Sequence, residues 1–319
     1  MKIHYDIDNL PHFKKAVITI GTFDGVHEGH KKVIGQLVKE AKKAGGESVI
    51  ITFHPHPRKV VTSSILGIRL LNTLDERIEL LNKLGVDHLV ITPFTDAFAN
   101  QPAENYIQHF LVDRFQPHTI IIGYDHRFGR ERKGDYNMLE SFAATYRYNL
   151  QEIPKHILDD ISISSTKIRD AIIRGDTRSA NNLLGYDFFF EGIVTHGDKL
   201  GRELGYPTAN IIITDDEKIS PGDGIYTVYC AIKNNDGAYG QMHGGMMSVG
   251  FRPTVDGRKR VIEVNIFDFD EEIYGQIIRV YIKEFLRPEE KFDSLEALVK
   301  KIDEDKENSL RILADTDFK

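Results

Sequence analysis

The sequence predicts an α/β domain built on a parallel sheet, followed by a β-rich domain that ends in one helix. Three observations carry this. The first half alternates short β-branched runs with helical patterns, which implies parallel strands covered on both faces. Beyond Gly185 the β-type runs follow one another, divided by glycines and without a second α/β alternation. A compact antiparallel barrel or sandwich is expected there. The chain's 319 residues also exceed one typical domain.

Taken in order, Ala16–Ile20 reads as a buried strand, followed by a glycine-rich turn and a helix from about Gly29 to Lys43. Ser48–Thr52 is a second strand. The run Asn72-Thr73-Leu74-Asp75-Glu76-Arg77 opens a helix whose apolar stripe is Ile78, Leu80, Leu81 and Leu84, with Gly85 as its stop. His88–Ile91 and Thr119–Ile122 are further strands, separated by a helix around Pro102–Phe115. Helical segments Thr166–Arg174 and Thr177–Leu184 close the first half, so the domains are expected at 1–185 and 186–319. In the second, strands are expected at Glu191–Thr195, Ile211–Ile213, Ile225–Ile232, Met246–Val249, Val261–Phe269 and Gln276–Glu284, before an amphipathic helix at Ser294–Asp303.

Composition narrows the function. A net charge of −7 argues against a nucleic acid or an anionic membrane as the main partner. A single cysteine, Cys230, excludes an internal disulfide framework and fits a reducing, cytoplasmic setting. No apolar run approaches a membrane span, and no signal peptide follows Met1.

The chemistry-bearing segments fall where strands end, which is where open α/β sheets bind ligands. Gly21-Thr22-Phe23-Asp24-Gly25-Val26-His27-Glu28-Gly29-His30 runs from the first strand into the first helix. Its glycines allow a sharp turn and close approach of a ligand, and the helix N-terminus offers free amides to a phosphate. His27 and His30 both face that anion if the helix starts between them. The glycine spacing matches neither a P-loop nor a dinucleotide fingerprint. Zinc is the rival use of two histidines, but no third ligand lies at a recognisable spacing. Thr52-Phe53-His54-Pro55-His56-Pro57-Arg58 ends the second strand. Ile163-Ser164-Ser165-Thr166-Lys167-Ile168-Arg169 puts hydroxyls and cations at a helix start, where plain N-capping is the simpler use. Three anion-friendly sites on one sheet favour a triphosphate.

Together with Gly123-Tyr124-Asp125-His126-Arg127-Phe128-Gly129, these segments resemble, in order, the FMN adenylyltransferase module of bacterial bifunctional riboflavin kinase/FMN adenylyltransferases (FAD synthetases). The resemblance implies a Rossmann-like nucleotidyltransferase sheet. It assigns Gly21, Phe23, Asp24, Gly25, Ser164, Thr166, Lys167 and Arg169 to the nucleotide, and His54, Pro55, Asp125 and Arg127 to the flavin. His27 and His30 are assigned to catalysis.

In the second half, Gly205-Tyr206-Pro207-Thr208-Ala209-Asn210 is on composition alone a polar turn before a strand. Thr208 and Asn210 share a side if it is extended, and both offer oxygen donors suited to Mg²⁺. Glu263 interrupts the apolar strand Val261–Val264, and strand parity leaves open whether it points outward or inward. These segments, with Pro221–Tyr226, Gly250–Thr254, Ile262–Asn265 and Phe285–Phe292, resemble the riboflavin kinase module, a small β-barrel with a C-terminal helix. The resemblance implies Glu263 as the base for the riboflavin hydroxyl, and Thr208 and Asn210 as ligands of Mg²⁺ on ATP. FMN and FAD are the implied products, from a monomer or weakly associating protein. His126, Ser162, Asn265 and Met247 depart from the residues common in that family. Two other readings stay open: an H-x-G-H transferase acting on another phosphate compound, and a flavin-binding regulator without catalysis.

Overall fold

The computed structural model describes residues 1–61, 69–123, 126–153, 164–197, 200–254 and 257–315. Its packing divides into two compact units, Met1–Ser165 and Thr166–Lys319.

In the first unit, six strands form an all-parallel sheet: β1 (Lys2–His4), β2 (Val17–Ile20), β3 (Ser48–His54), β4 (His88–Pro93), β5 (Thr119–Gly123) and β6 (Asn149–Ile153). Their order is β1-β4-β3-β2-β5-β6. The four central strands are those the sequence predicts. They are buried on both faces, and their side chains alternate between two cores. Ile18, Ile51, Val90 and Ile120 enter one, with Phe110 and Leu111 of the helical stretch Ala103–Phe115. Val17, Ile50, Leu89 and Ile121 enter the other, with Ile34 and Leu37 of helix Glu28–Ala44 and Leu81 of helix Leu74–Asn82. The chain leaves β2 toward β3 and β4, then returns to the other side of β2 for β5 and β6. Strand order therefore reverses between β2 and β5. At such a reversal the loops leaving the carboxyl ends diverge and open a crevice.

The second unit is a closed antiparallel barrel of β7 (Phe189–Thr195), β8 (Ala209–Ile212), β9 (Gly224–Lys233), β10 (Tyr239–Thr254), β11 (Gly257–Ile266) and β12 (Ile277–Arg287). Their order around the barrel is β10-β11-β8-β7-β12-β9. Of the two architectures left open by the sequence, the barrel is the one formed. Cys230 lies buried in its wall on β9. Helix Leu295–Asp315 packs on β9 and β10, twelve residues longer at its C-terminal end than expected (315 against 303).

The division at Ser165/Thr166 falls earlier than the 185/186 boundary expected from sequence. The reason lies in hydrogen bonds from helices Ser165–Ile173 and Thr177–Leu184 to the barrel unit. Gly222 N donates to Ile172 O at 3.1 Å. Thr177 Oγ1 accepts from Phe285 N at 3.2 Å, and Asn181 Nδ2 donates to Ile282 O at 2.8 Å.

Candidate active sites

The loop after β2 is held from several sides. Gly21 N donates to Ile51 O at 3.0 Å, fixing the strand exit. Phe23, Gly25 and Val26 all have positive φ, at 50°, 91° and 37°. For Gly25 this is free, whereas for Phe23 and a β-branched Val26 it is strained. Such strain persists only when neighbouring structure over-determines it, and it concentrates at functional sites. The restraints are visible. Phe23 and Val26 are buried. Asp24, 2% exposed, accepts the backbone N–H groups of Leu71 and Asn72 at 2.9 and 3.2 Å on one carboxylate oxygen. Thr22 O accepts from Arg77 and from Thr52 Oγ1. Ser165 Oγ donates to Asp24 O at 3.0 Å, tying the serine-rich segment to this loop.

The loop delivers two imidazoles. The helix begins at Glu28, so it does start between the histidines. His27 is the N-cap, and its Nδ1 accepts from His30 N at 3.3 Å. The rings stack with centroids 3.6 Å apart, and Phe23 packs edge-on against His30. Burial, then His27, then Arg77 hold the His30 imidazole well below the usual histidine range. His30 Nδ1 is buried and has no hydrogen-bond partner among the described residues. The nearby Lys31 is engaged by Glu28 at 2.7 Å. Among the described residues no group of three His, Cys, Asp or Glu is placed to hold a metal, so the zinc alternative gains no third ligand.

The other expected residues are distributed as follows. Ser164 lies exposed at the end of the first unit, and Thr166, Lys167 and Arg169 follow it on helix Ser165–Ile173. At the end of β3, His54 is exposed and Pro55 half-buried. Arg127 is held by Asp135 at 2.6 Å, and Asp135 also caps helix Tyr136–Tyr146. Asp125 and Ser162 lie outside the described residues. Sequence reasoning missed Ser165, and it read Leu71–Arg77 only as a helix start. It also missed the ring cluster of Phe53, Phe94 and Phe98, with centroids 5.4–5.6 Å apart. The available signal was an aromatic at the end of β3 and two more just after β4.

In the barrel unit, a cavity of about 240 Å³ opens beside Thr208 and Glu263, which both line it with Ser248, Asn265 and Arg287. Strand parity puts Glu263 on the face opposite the buried Ile262 and Val264, half-buried and turned to this cavity beneath the terminal helix rather than into the barrel core. Asn210 pairs with Glu263 in register across β8 and β11 but does not itself line the cavity. A Cβ on Gly197 would stand 2.1 Å from the Asn210 amide, so only glycine leaves that amide its place. Asn265 Nδ2 donates to Pro207 O at 2.7 Å, anchoring the turn that carries Thr208. Apolar walls come from Leu204, Met246, Phe292 and Ile302, the last on the terminal helix. The partly buried Arg287 and the buried Asp305 form a forked ion pair there, with Arg287 Nη2 2.7 Å from Asp305 Oδ2.

Comparison with known proteins covers both halves of the chain. Residues 10–167 match the FAD synthetase family and residues 184–313 the riboflavin kinase family. A bifunctional riboflavin kinase/FMN adenylyltransferase of Listeria monocytogenes is 35% identical over 93% of this chain and 92% of its own. The protein so described in Escherichia coli K12 is 33% identical over 96% of each. A crystal structure described as a macrolide-efflux protein from Streptococcus pneumoniae superposes with a TM-score of 0.83 and 30% identity, covering 97% of this chain and 98% of that one. Two family matches in tandem, and relatives aligned along almost the whole chain, show that it belongs to the bifunctional riboflavin kinase/FMN adenylyltransferases.

Proposed function

We propose that the cavity of the barrel unit phosphorylates riboflavin with ATP, and that the loop after β2 then adenylylates FMN to FAD with release of pyrophosphate. The observation that carries the reading is the arrival in each site of the chemistry its reaction needs. Glu263 and Thr208 share one cavity, and His27 and His30 stack at a helix N-terminus on the reversal of a parallel sheet.

In the kinase step Glu263 accepts the proton of the ribityl 5′-hydroxyl as it attacks the γ-phosphorus. Phosphoryl transfer is mainly positioning and charge neutralisation, so a correctly placed base and cation supply most of the catalysis. The donor chemistry fits Mg²⁺: a Thr208 hydroxyl and an Asn210 amide beside a carboxylate, for an ion that completes its shell with phosphates and water. Bound there, it would neutralise charge on the ATP phosphates. The terminal helix and Met246 exclude water from the flavin.

In the adenylyl step the FMN phosphate attacks the α-phosphorus of ATP without a covalent enzyme intermediate. His30, whose Nδ1 is buried and uncommitted among the described residues, meets charge that develops on the triphosphate. His27 acts beside it, with Ser164, Thr166, Lys167 and Arg169. Gly21, Phe23, Asp24 and Gly25 give the loop its shape around the nucleotide. His54, Pro55, Asp125 and Arg127 serve the flavin. The two modules occupy residues 1–185 and 186–319 in this reading, and the protein works in the cytoplasm on small molecules, as a monomer or weak assembly, without nucleic acid.

Incubation with riboflavin, ATP and Mg²⁺, followed by chromatography, should yield FMN and then FAD. Absence of both would defeat the reading and leave a flavin-binding regulator. Among the described residues no helix is long and apolar enough to cross a membrane.

A further inference from the structure

Arg77 stands fourth in helix Leu74–Asn82, 4% exposed, at the end of a segment that grips the loop after β2. That segment is itself fixed. Thr73 Oγ1 accepts from Glu76 N and the Glu76 carboxylate accepts from Thr73 N, a reciprocal cap that sets the helix start. From this base Leu71 and Asn72 hold the Asp24 carboxylate, while Arg77 Nη1 holds the Thr22 carbonyl. The two grips flank Phe23, the first strained residue of the turn. A guanidinium is rarely so buried without a bidentate partner. Arg77 forms none of the ion pairs resolved here, and its Nε is buried without a hydrogen-bond partner among the described residues. Burial lowers its pKa, and the Asp24 charge opposes that. A buried cation kept at this cost needs a reason beyond one backbone carbonyl, which a neutral amide would also satisfy.

We propose that Arg77 is a positioning residue for adenylyl transfer: from beneath the loop it fixes the strained turn that presents His27 and His30. The proposal rests on the adenylyltransferase reading above. Two groups act on the charge of His30: His27, the cap of its own helix, and Arg77 from helix Leu74–Asn82, itself opposed by the Asp24 carboxylate. Lys31, next along the helix, pairs with Glu28. After burial, the largest cause, the His27 and Arg77 charges oppose a proton on His30. When a triphosphate enters, the imidazole meets it from a neutral state, and the negative charge draws a proton toward His30.

The test is Arg77→Gln beside Arg77→Lys in the full-length enzyme, assayed for both products across pH 5–9. In Arg77→Gln, kcat/KM for FAD formation should fall about 100-fold, as expected for a misplaced catalytic group. The limb of its pH profile that belongs to His30 should move upward. Arg77→Lys should keep that limb at the wild-type position while recovering only part of the rate, and FMN formation should be unchanged in both. If Arg77→Gln lowers the rate with an unmoved profile, or Arg77→Lys shifts the profile equally, the electrostatic role is overturned. Unchanged FAD formation in both variants overturns the positioning role as well. If Arg77→Gln does not fold, the Arg77→Lys profile decides alone. A wild-type enzyme that makes no FAD would instead indict the underlying reading.

Discussion

Burial, together with the neighbouring His27 and Arg77, keeps the His30 imidazole deprotonated below the usual histidine value of 6.5. The folded chain then binds fewer protons than the unfolded chain in the window from that value down to the depressed one, so stability falls as pH falls through it. His4, lowered by burial and by His88, adds to the same slope. Unfolding temperature of the ligand-free protein should therefore decline from pH 7 to pH 5, and His30→Gln should flatten the decline; an identical slope in the variant would assign it elsewhere. At this scale the sequence singled out the candidate residues, but not what holds them. The pair at 27 and 30 was legible from spacing and from its place after a strand. The grip of Leu71, Asn72 and Arg77 was not, because it spans about fifty residues and reads locally as ordinary helix initiation.

Elements were most legible where burial leaves a period. Strands β2 to β5 carry unbroken β-branched runs and were found within a residue or two. Strands β1 and β6, with sequences KIH and NLQEI, sit on the sheet edges, where one neighbour suffices and polar residues erase the signal. The terminal helix is instructive in the same way. Its apolar pattern fades after Asp303 because the face turned to the barrel becomes polar. Buried Asp305 meets the partly buried Arg287, and buried Ser309 accepts from buried Thr227 Oγ1 at 3.0 Å. Asp305→Asn should cost about 3–5 kcal/mol, the usual penalty for stranding one member of a buried ion pair. Denaturant unfolding of the barrel unit would measure it. Because Ile302 and Asp305 also wall the cavity, riboflavin KM should rise while FAD formation from supplied FMN persists.

At the level of the whole molecule, two compact units and two tandem family matches go with two chemistries that share ATP and one intermediate. His30→Ala should remove most FAD formation, by about 100- to 1000-fold for a lost preorganised donor, with FMN formation intact. Glu263→Gln should abolish FMN formation and still allow FAD from supplied FMN. Parallel loss of both activities in either variant would defeat a two-site enzyme. The closed barrel has a practical corollary as well. Its β9 strand seals the chain's one thiol, 1% exposed and shifted up by burial, behind a continuous wall of hydrogen-bonded strands. The native protein should be silent toward a colorimetric thiol reagent until it unfolds. A cysteine introduced at any exposed site would then be the sole point of attachment for a fluorophore or spin label, without first removing Cys230.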